Sequence, residues 1–517
     1  MSAPTDRPAR LDARGLRDLV LDAGSWQSWD SPIPPRGVGE SYARELEHAA
    51  EKTGQDESII TGEGRLRGRR VAVVAGEFGF LAGSIGVAAA ERLISAVERA
   101  TDEGLPLLAA PVSGGTRMQE GTVAFLQMIG ITAAIARHKE AGLPYLVYLR
   151  NPTFGGVLAS WGSLGHVTIA EPGASIGFLG PRVFEALYGE PFPEDVQTAE
   201  HMADHGLIDA VVPHEEIAEV ADRALRVLAA RQTWHHDVAG AERPTAEDGI
   251  DADGAGGVDG TDGRSAWEVV TASRREDRPG VRRLLRTAAT DVVGLSGTGA
   301  GEKDPGLLLA LARFGGAPCV VLGQDRRGQS MSAPLGPAAL REARRGMHLA
   351  EQLRLPLVTL IDTPGAALSR EAEEGGLAGE IARCLHDLVI LKAPTLAVLL
   401  GQGTGGGALA LVPADRVLAA ANGWLGPLPP EGASAIVHRS TDRADEMAAN
   451  QGVRATDLWR KGIVDRVVPE RPDAADEPIE FCLRLGRVLG EELAGLLGRD
   501  DTERFRTRLH RYRHLGR

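Results

Sequence analysis

Glycine turns recur where strand-like runs give way to helix-like ones. In the first half of the chain they are Gly114-Gly115, in SGGTRMQEG, and Gly155-Gly156, in PTFGGVLAS. In the second half they are Pro364-Gly365, in IDTPGA, and Gly405-Gly406-Gly407, in GQGTGGGALAL, with Ala408 following. The first N–H groups of a helix have no partner inside it, and the helix dipole favours negative charge there. Glycine lets a ligand oxygen approach those groups within hydrogen-bonding distance. Two such turns facing one cavity form an oxyanion hole, suited to an enolate or a tetrahedral oxyanion. The competing explanation is that the glycines merely let helix and strand pack closely. Paired turns at one offset in both halves favour chemistry over packing.

Arginines cluster beside the glycine-containing segments. RLRGRR supplies Arg65, Arg67, Arg69 and Arg70. GQDRRGQ and LREARRG supply Arg326, Arg327, Arg341, Arg344 and Arg345. In a chain with a formal net charge of −14 these are candidate phosphate contacts, with Arg326, Arg327 and Arg345 the ones assigned to substrate. Exposed helix faces and strand flanks are the plainer alternative.

Three motif matches point elsewhere and fail on context. GQGTGG fits the dinucleotide fingerprint, but Pro413 cuts the following helix short and no acid ends the next strand. GASIG, with Ser175 at its centre, fits the hydrolase elbow, but Pro181 interrupts the helix that must follow. His235-His236 has no companion ligands, and no metal site is expected.

The elements that position these turns come twice. Pro106 and Pro356, Pro144 and Pro394, and Gly155 and Gly405 are each 250 residues apart, in similar surroundings. GLIDAVVP and GIVDRVVP match at a shift of 256. A repeat this long is a whole domain copied. Between the copies, AEDGIDADGAGGVDGTDGR carries six acids and one arginine, which predicts a flexible, self-repelling linker. The expected plan is a first domain over 1–240, a linker over 241–264 and a second domain over 265–517. Within each copy, near-continuous apolar runs such as RRVAVVAG, LPLLAAP and PTLAVLL alternate with helical-period segments such as IGVAAAERLISAVERATDEG. That alternation predicts an α/β fold with a parallel sheet covered by helices. The last segment, from EPIEFCLRLG onward, predicts one or two amphipathic helices.

Composition bounds the rest. Of 517 residues, 43% are hydrophobic and 25% charged, which fits a globular protein and argues against wholesale disorder. The acidic balance makes nucleic acid an unlikely partner. Cys319, Cys384 and Cys482 form no metal-binding or disulfide pattern, which fits a reducing, cytoplasmic setting. The first twenty residues are charged and lack an apolar run, so no signal peptide is expected. Ala393 to Ala414 is uncharged, but five glycines interrupt it, so a buried strand, turn and helix are expected there rather than a membrane span.

The long segment from APVSGGTRMQEG to GASIGFLGPRV resembles the β subunit of bacterial acetyl-CoA carboxylase carboxyltransferase. LPLVTLIDTPGA, GQGTGGGALAL, GPLPPEGASAIVHRS and SAWEVVTASRREDRPGVRRLL resemble its α subunit. The chain is similar to a β–α fusion. The resemblance implies two crotonase-like domains in tandem, each a ββα superhelix. It implies transfer of a carboxyl group from N1 of carboxybiotin, held on a separate biotin carboxyl carrier protein served by a biotin carboxylase. The acceptor would be the α-carbon of acetyl-CoA or propionyl-CoA, giving malonyl-CoA or its homologue for fatty acid biosynthesis. Gly155 and Gly156 would hold the thioester oxygen, with Gly114 and Gly115 in the same pocket. Gly406, Gly407 and Ala408 would bind the biotin ureido oxygen, with Gly365 and Gly405 nearby. The biotin anion would act as base, so no side-chain nucleophile is required. The site would form between protomers of a homo-oligomer, a dimer or higher.

Two departures stand out. No cysteine precedes Cys319, so the zinc ribbon usual in bacterial β subunits is missing and zinc is not expected. The usual G-E-G-x-S-G-G is altered, with Gln402 for the acid and Gly405 for the serine. The chain has no M-K-M biotinylation site. The alternative is a malonate-decarboxylase-type enzyme acting on malonyl-acyl carrier protein or malonyl-CoA without biotin. A catalytically silent assembly partner is a third possibility, against which the intact glycine pairs weigh.

Overall fold

The computed structural model describes residues 11–33, 38–115, 117–178, 180, 184–185, 189–193, 195–230, 250–251, 263–330, 334–511 and 513. The chain divides into two compact units, Met1–Leu225 and Arg226–Arg517. Most of the expected acidic linker, and His235-His236, lie outside the described residues.

Among the described residues the first unit is built on a seven-stranded sheet. Its strands are β1 (Gln27–Ser28), β2 (Ile59–Leu66), β3 (Arg69–Gly76), β4 (Leu107–Ala110), β5 (Tyr145–Leu149), β7 (Val167–Ala170) and β9 (Ala210–Val211), side by side in that order. A small separate pair, β6 (Thr153–Phe154) and β8 (Ile176–Gly177), lies parallel. From β3 to β9 the pairing is parallel; β1 and β2 are antiparallel. The helix Val87–Asp102 buries Ala89, Ala90, Leu93, Ala96, Val97 and Ala100 at helical spacing, and these join β3, β4 and β5 in one core.

The second unit repeats the plan with eight strands among the described residues. They are β10 (Ile250–Asp251), β11 (Thr290–Leu295), β12 (Leu307–Phe314), β13 (Ala317–Gln324), β14 (Leu357–Thr363), β15 (Thr395–Gly403), β16 (Arg416–Ala420) and β17 (Arg466–Val468). The order across the sheet is β10-β17-β16-β15-β14-β13-β12-β11, and β13 to β17 are parallel. Every residue of β13 and β14 is buried, which is why those runs are apolar throughout instead of alternating. The uncharged stretch from Ala393 folds as strand β15, a glycine turn and the short helix Gly405–Leu409. Two helices, Pro478–Leu497 and Asp501–Arg511, end the described chain.

Each sheet is mixed, and the antiparallel part is absent from the sequence reading. In the first unit, the turn that joins β2 to β3 holds Arg67 at φ 47° and Gly68 at φ 85°. The one joining β12 to β13 holds Gly315 at φ 55° and Gly316 at φ 84°. Two successive left-handed residues make the tight hairpin turn whose twist matches the strands. RLRGRR is therefore a hairpin. Arg70 pairs with Glu63 and with Glu103, and Arg67 lies 3.8 Å from Glu219, so two of the four arginines in this cluster hold the fold together.

Candidate functional site

In each unit the two glycine turns come together at the C-terminal end of two adjacent parallel strands. In the first unit, β4 leads to Ser113-Gly114-Gly115. The Ser113 hydroxyl lies 3.0 Å from the Gly115 N–H, which donates to it, and 3.1 Å from the Gly115 carbonyl. In the second unit β14 leads to Thr363-Pro364-Gly365. The Thr363 hydroxyl accepts the Gly365 N–H at 3.2 Å and lies 3.0 Å from the Gly365 carbonyl. The same side-chain lock thus recurs at positions 250 residues apart. It fixes Gly115 at φ 129° and Gly365 at φ 140°, conformations that glycine adopts readily and other residues do not.

The second turn follows the next strand. Gly155 has φ 69° and Gly405 φ 62°. Both are held by backbone: Gly155 donates to the Phe178 carbonyl at 2.9 Å and Gly405 to the Gly426 carbonyl at 3.0 Å. The N–H groups that follow, of Gly156, Gly406 and Gly407, have no acceptor among the described residues. Ala408 donates to the Thr404 carbonyl at 3.4 Å. The arrangement thus offers Gly156 in one unit, and Gly406 with Gly407 in the other, as donors to an outside oxygen. Gly155, Gly405 and Ala408 shape the turns with N–H groups already committed.

The turns touch within each unit. A Cβ on Gly155 would stand 3.3 Å from Gly115 Cα, and one on Gly407 would stand 3.4 Å from both N and Cβ of Ala366. Gly114 donates to the Ala82 carbonyl at 2.8 Å. Ala82 belongs to a left-handed run, Leu81 at φ 44°, Ala82 at φ 55° and Gly83 at φ 64°. Two successive non-glycine residues in that region are strained, and strain of this kind collects at binding sites.

Buried polar side chains lie close to a turn in each unit. Arg117 is fully buried and pairs with Glu57, which is 1% exposed. Arg117 also donates to Ser84 Oγ at 2.8 Å and Tyr42 Oη at 3.0 Å. In the second unit Gln324 donates to the Gly407 carbonyl at 2.8 Å and accepts the Asp362 N–H at 3.1 Å. Asp362 accepts the Gln402 N–H at 3.1 Å. Burial pushes the Asp362 carboxyl above its ordinary range, and Arg326 and Arg278 pull it back.

The candidate arginines separate. Arg326 stands 3.4 Å from Asp362 and donates to the Ser273 carbonyl at 2.9 Å, so it sits one layer behind the turn. Arg327 is exposed. Arg345 donates to the carbonyls of Ser296 and Gly297, at 3.0 and 2.9 Å, and braces that loop. Ser175 lies just before β8, bridged to Thr198, and is followed directly by strand rather than by a helix. The helix after GQGTGG has five residues, too short for a dinucleotide site. Among the described residues no three His, Cys, Asp or Glu side chains group as a metal site. Sequence reasoning missed Ala82, Gln324, Ala366 and Thr404. Gln324, Ala366 and Thr404 lie inside the quoted motifs, but their part in the turns is defined by what each meets in space.

Residues 18–494 match the carboxyl transferase domain family. The chain belongs to the carboxyl transferase family. It is an enzyme of carboxyl transfer. A Mycobacterium tuberculosis protein named "Probable biotin-dependent acyl-coenzyme A carboxylase beta3 subunit" is 60% identical over 508 residues, covering 98% of this chain and 99% of that one. The acetyl-coenzyme A carboxylase carboxyl transferase subunits beta/alpha of Saccharopolyspora erythraea are 35% identical over 90% of this chain and 82% of that one. The crystal structure of transcarboxylase 12S superposes with a TM-score of 0.70 at 22% identity, covering 92% of this chain and 88% of that one. That neighbour places the two units in the crotonase-like fold.

Proposed function

We propose that this carboxyltransferase is the carboxyl-transferring subunit of a biotin-dependent acyl-CoA carboxylase. Its relatives fit that reading rather than the decarboxylase alternative. The observation that carries it is the glycine turn after β5 and its counterpart after β15, at the same offset in the two units, each ending in N–H groups, those of Gly156 and of Gly406 and Gly407, with no acceptor among the described residues. Carboxyl transfer develops charge on two oxygens, that of the thioester and that of the urea, so two donor sites are required.

Biotin on a carrier protein supplies the carboxyl group. The chain supplies the donors. Gly156 N–H, with the Gly114-Gly115 turn beside it, would hold the thioester oxygen as an enolate forms, the α-carbon proton passing to the ureido nitrogen that has given up its carboxyl group. Gly406 and Gly407 N–H hold the ureido oxygen. Ser113 and Thr363 keep the first turns in place, and Gln324 fixes Gly407. Backbone donors held this way need no reorganisation during the reaction. The Thr404 hydroxyl, which has no hydrogen-bond partner among the described residues, and the two N–H groups beside it are donors suited to that oxygen.

Acetyl-CoA or propionyl-CoA is the proposed acceptor, with malonyl-CoA or its homologue as product. A biotin carboxyl carrier protein and a biotin carboxylase are the proposed partners, and the cytoplasm the setting. No described helix is long and apolar enough to cross a membrane. A homo-oligomer with sites between protomers is supported by the helix Gly121–Glu140. Beside the first turn, Met118, Val123, Phe125 and Ile129 are 80%, 59%, 58% and 67% exposed. An apolar face of that kind marks an interaction surface.

The test is the reverse reaction. Protein is given malonyl-CoA with and without biocytin, and acetyl-CoA release is followed. Release that depends on biocytin is expected, and methylmalonyl-CoA then tests chain length. Release without biocytin would overturn the reading in favour of decarboxylation.

A further inference from the structure

Strand β15 gives way to the helix Gly405–Leu409 at Thr404, the residue that caps the helix. A threonine in that position ordinarily turns its hydroxyl onto the second or third N–H of the helix. Thr404 makes no such bond. It is 2% exposed, and its Oγ1 is buried without a hydrogen-bond partner among the described residues. The two N–H groups it would cap, of Gly406 and Gly407, have no acceptor among the described residues.

Thr404 joins the two turns of the second unit: it precedes Gly405, and its methyl Cγ2 is 3.9 Å from where a Cβ of Gly365 would stand. Its backbone, at φ −117° and ψ 127°, is bridged to Gly426. Valine takes the same backbone and the same volume without burying an unpaired hydroxyl. A buried polar group left unsatisfied beside two unsatisfied N–H groups points to a shared ligand.

We propose that Thr404 is a ligand-contacting residue of this turn. Its hydroxyl donates to the same urea-type carbonyl oxygen that the N–H groups of Gly406 and Gly407 hold. The inference rests on the carboxybiotin reading above. It adds a side-chain donor to a site otherwise made of backbone, and it explains why the cap stays open. Were the hydroxyl to cap the helix, one of the two N–H donors would be lost to the ligand.

Calorimetric titration of the full chain with biocytin tests this, using wild type, Thr404→Val and Thr404→Ser. Thr404→Val should weaken biocytin binding by about 3- to 10-fold, the loss of one neutral hydrogen bond. Thr404→Ser, which keeps the hydroxyl, should stay within about twofold of wild type. The KM for malonyl-CoA should not change, and the melting temperature of Thr404→Val should equal or exceed that of wild type. Wild-type affinity in a well-folded Thr404→Val would overturn the assignment while leaving the carboxybiotin reading intact. A lower melting temperature would show that the hydroxyl serves the fold, and would also overturn it. Failure of biocytin to bind wild type would remove the carboxybiotin reading, and this proposal with it.

Discussion

Arg117 offers the sharpest test of how the first glycine turn is held. It follows Gly114-Gly115 by two residues and is fully buried. Its partner Glu57 is 1% exposed, and Glu57 also accepts the Ser58 N–H at 2.8 Å. Arg117→Met removes the cation and keeps much of the volume. What remains is a carboxylate in the interior with its counter-charge gone. Breaking a buried pair from one side costs about 3–5 kcal/mol. The Ser84 and Tyr42 oxygens lose a donor as well, which places the estimate toward the upper end. For a unit of this size that corresponds to a drop of about 10 °C in its melting temperature. Replacing both partners leaves no orphaned charge, so Arg117→Met with Glu57→Gln should recover most of the loss. The two units have separate cores, so calorimetry should show the transition of the first unit moving down while that of the second stays in place. Reverse carboxyl transfer should fall with the single variant, because Arg117 holds Ser84, next to the left-handed run whose Ala82 carbonyl takes up the Gly114 N–H. A single variant that melts like wild type, or a double variant no better than the single one, would refute the argument.

Glu342 is 3% exposed, and burial pushes its carboxyl up to about 7, against the pull of the Gly297 N–H and Arg345. The folded state therefore holds a proton that the unfolded state releases near pH 4.5, so stability falls as pH rises from there to about 7. The fall is on the order of 3 kcal/mol, and Glu342→Gln, which still accepts the Gly297 N–H, should abolish it in denaturant midpoints measured across that range; a slope unchanged in the variant would contradict this. Gly365→Ala meets no atom closer than Thr404 Cγ2 at 3.9 Å, so its cost is backbone strain of about 1–3 kcal/mol at φ 140°. Circular dichroism should show a folded protein while reverse transfer drops by about tenfold or more; full activity would mean that the turn is not used. Cys319, Cys384 and Cys482 are buried, and burial raises the thiols of Cys384 to about 12 and Cys482 to about 11. Ellman's reagent should label none of the three before unfolding and all of them after, and rapid labelling of the native protein would contradict the burial.

Much of this protein is legible along the chain. The 250-residue repeat, the parallel strands and the glycine turns follow from short-range rules: apolar runs bounded by proline and glycine, and helical spacing between them. The antiparallel flank of each sheet was not legible. LLLALARF in β12 is buried on both faces and lacks the alternation that marks a strand, and the GEG in β2 lacks strand propensity. Only pairing with β13 and β3 makes them strands.

The site divides in the same way. The sequence by itself determined which glycines form the turns, because a glycine run between a strand and a helix has few other uses. It could not say which N–H of each run stays open. That depends on the carbonyls of Phe178 and Gly426, which arrive from later strands and turns and take up Gly155 and Gly405. It could not separate Arg326, behind the turn, from Arg345, which braces a loop, because both are single basic residues on similar segments. Thr404 and Ala82 became visible only when distant backbone was brought against them. Propensity and spacing are properties of neighbours in the chain, whereas the availability of a donor is a property of neighbours in space.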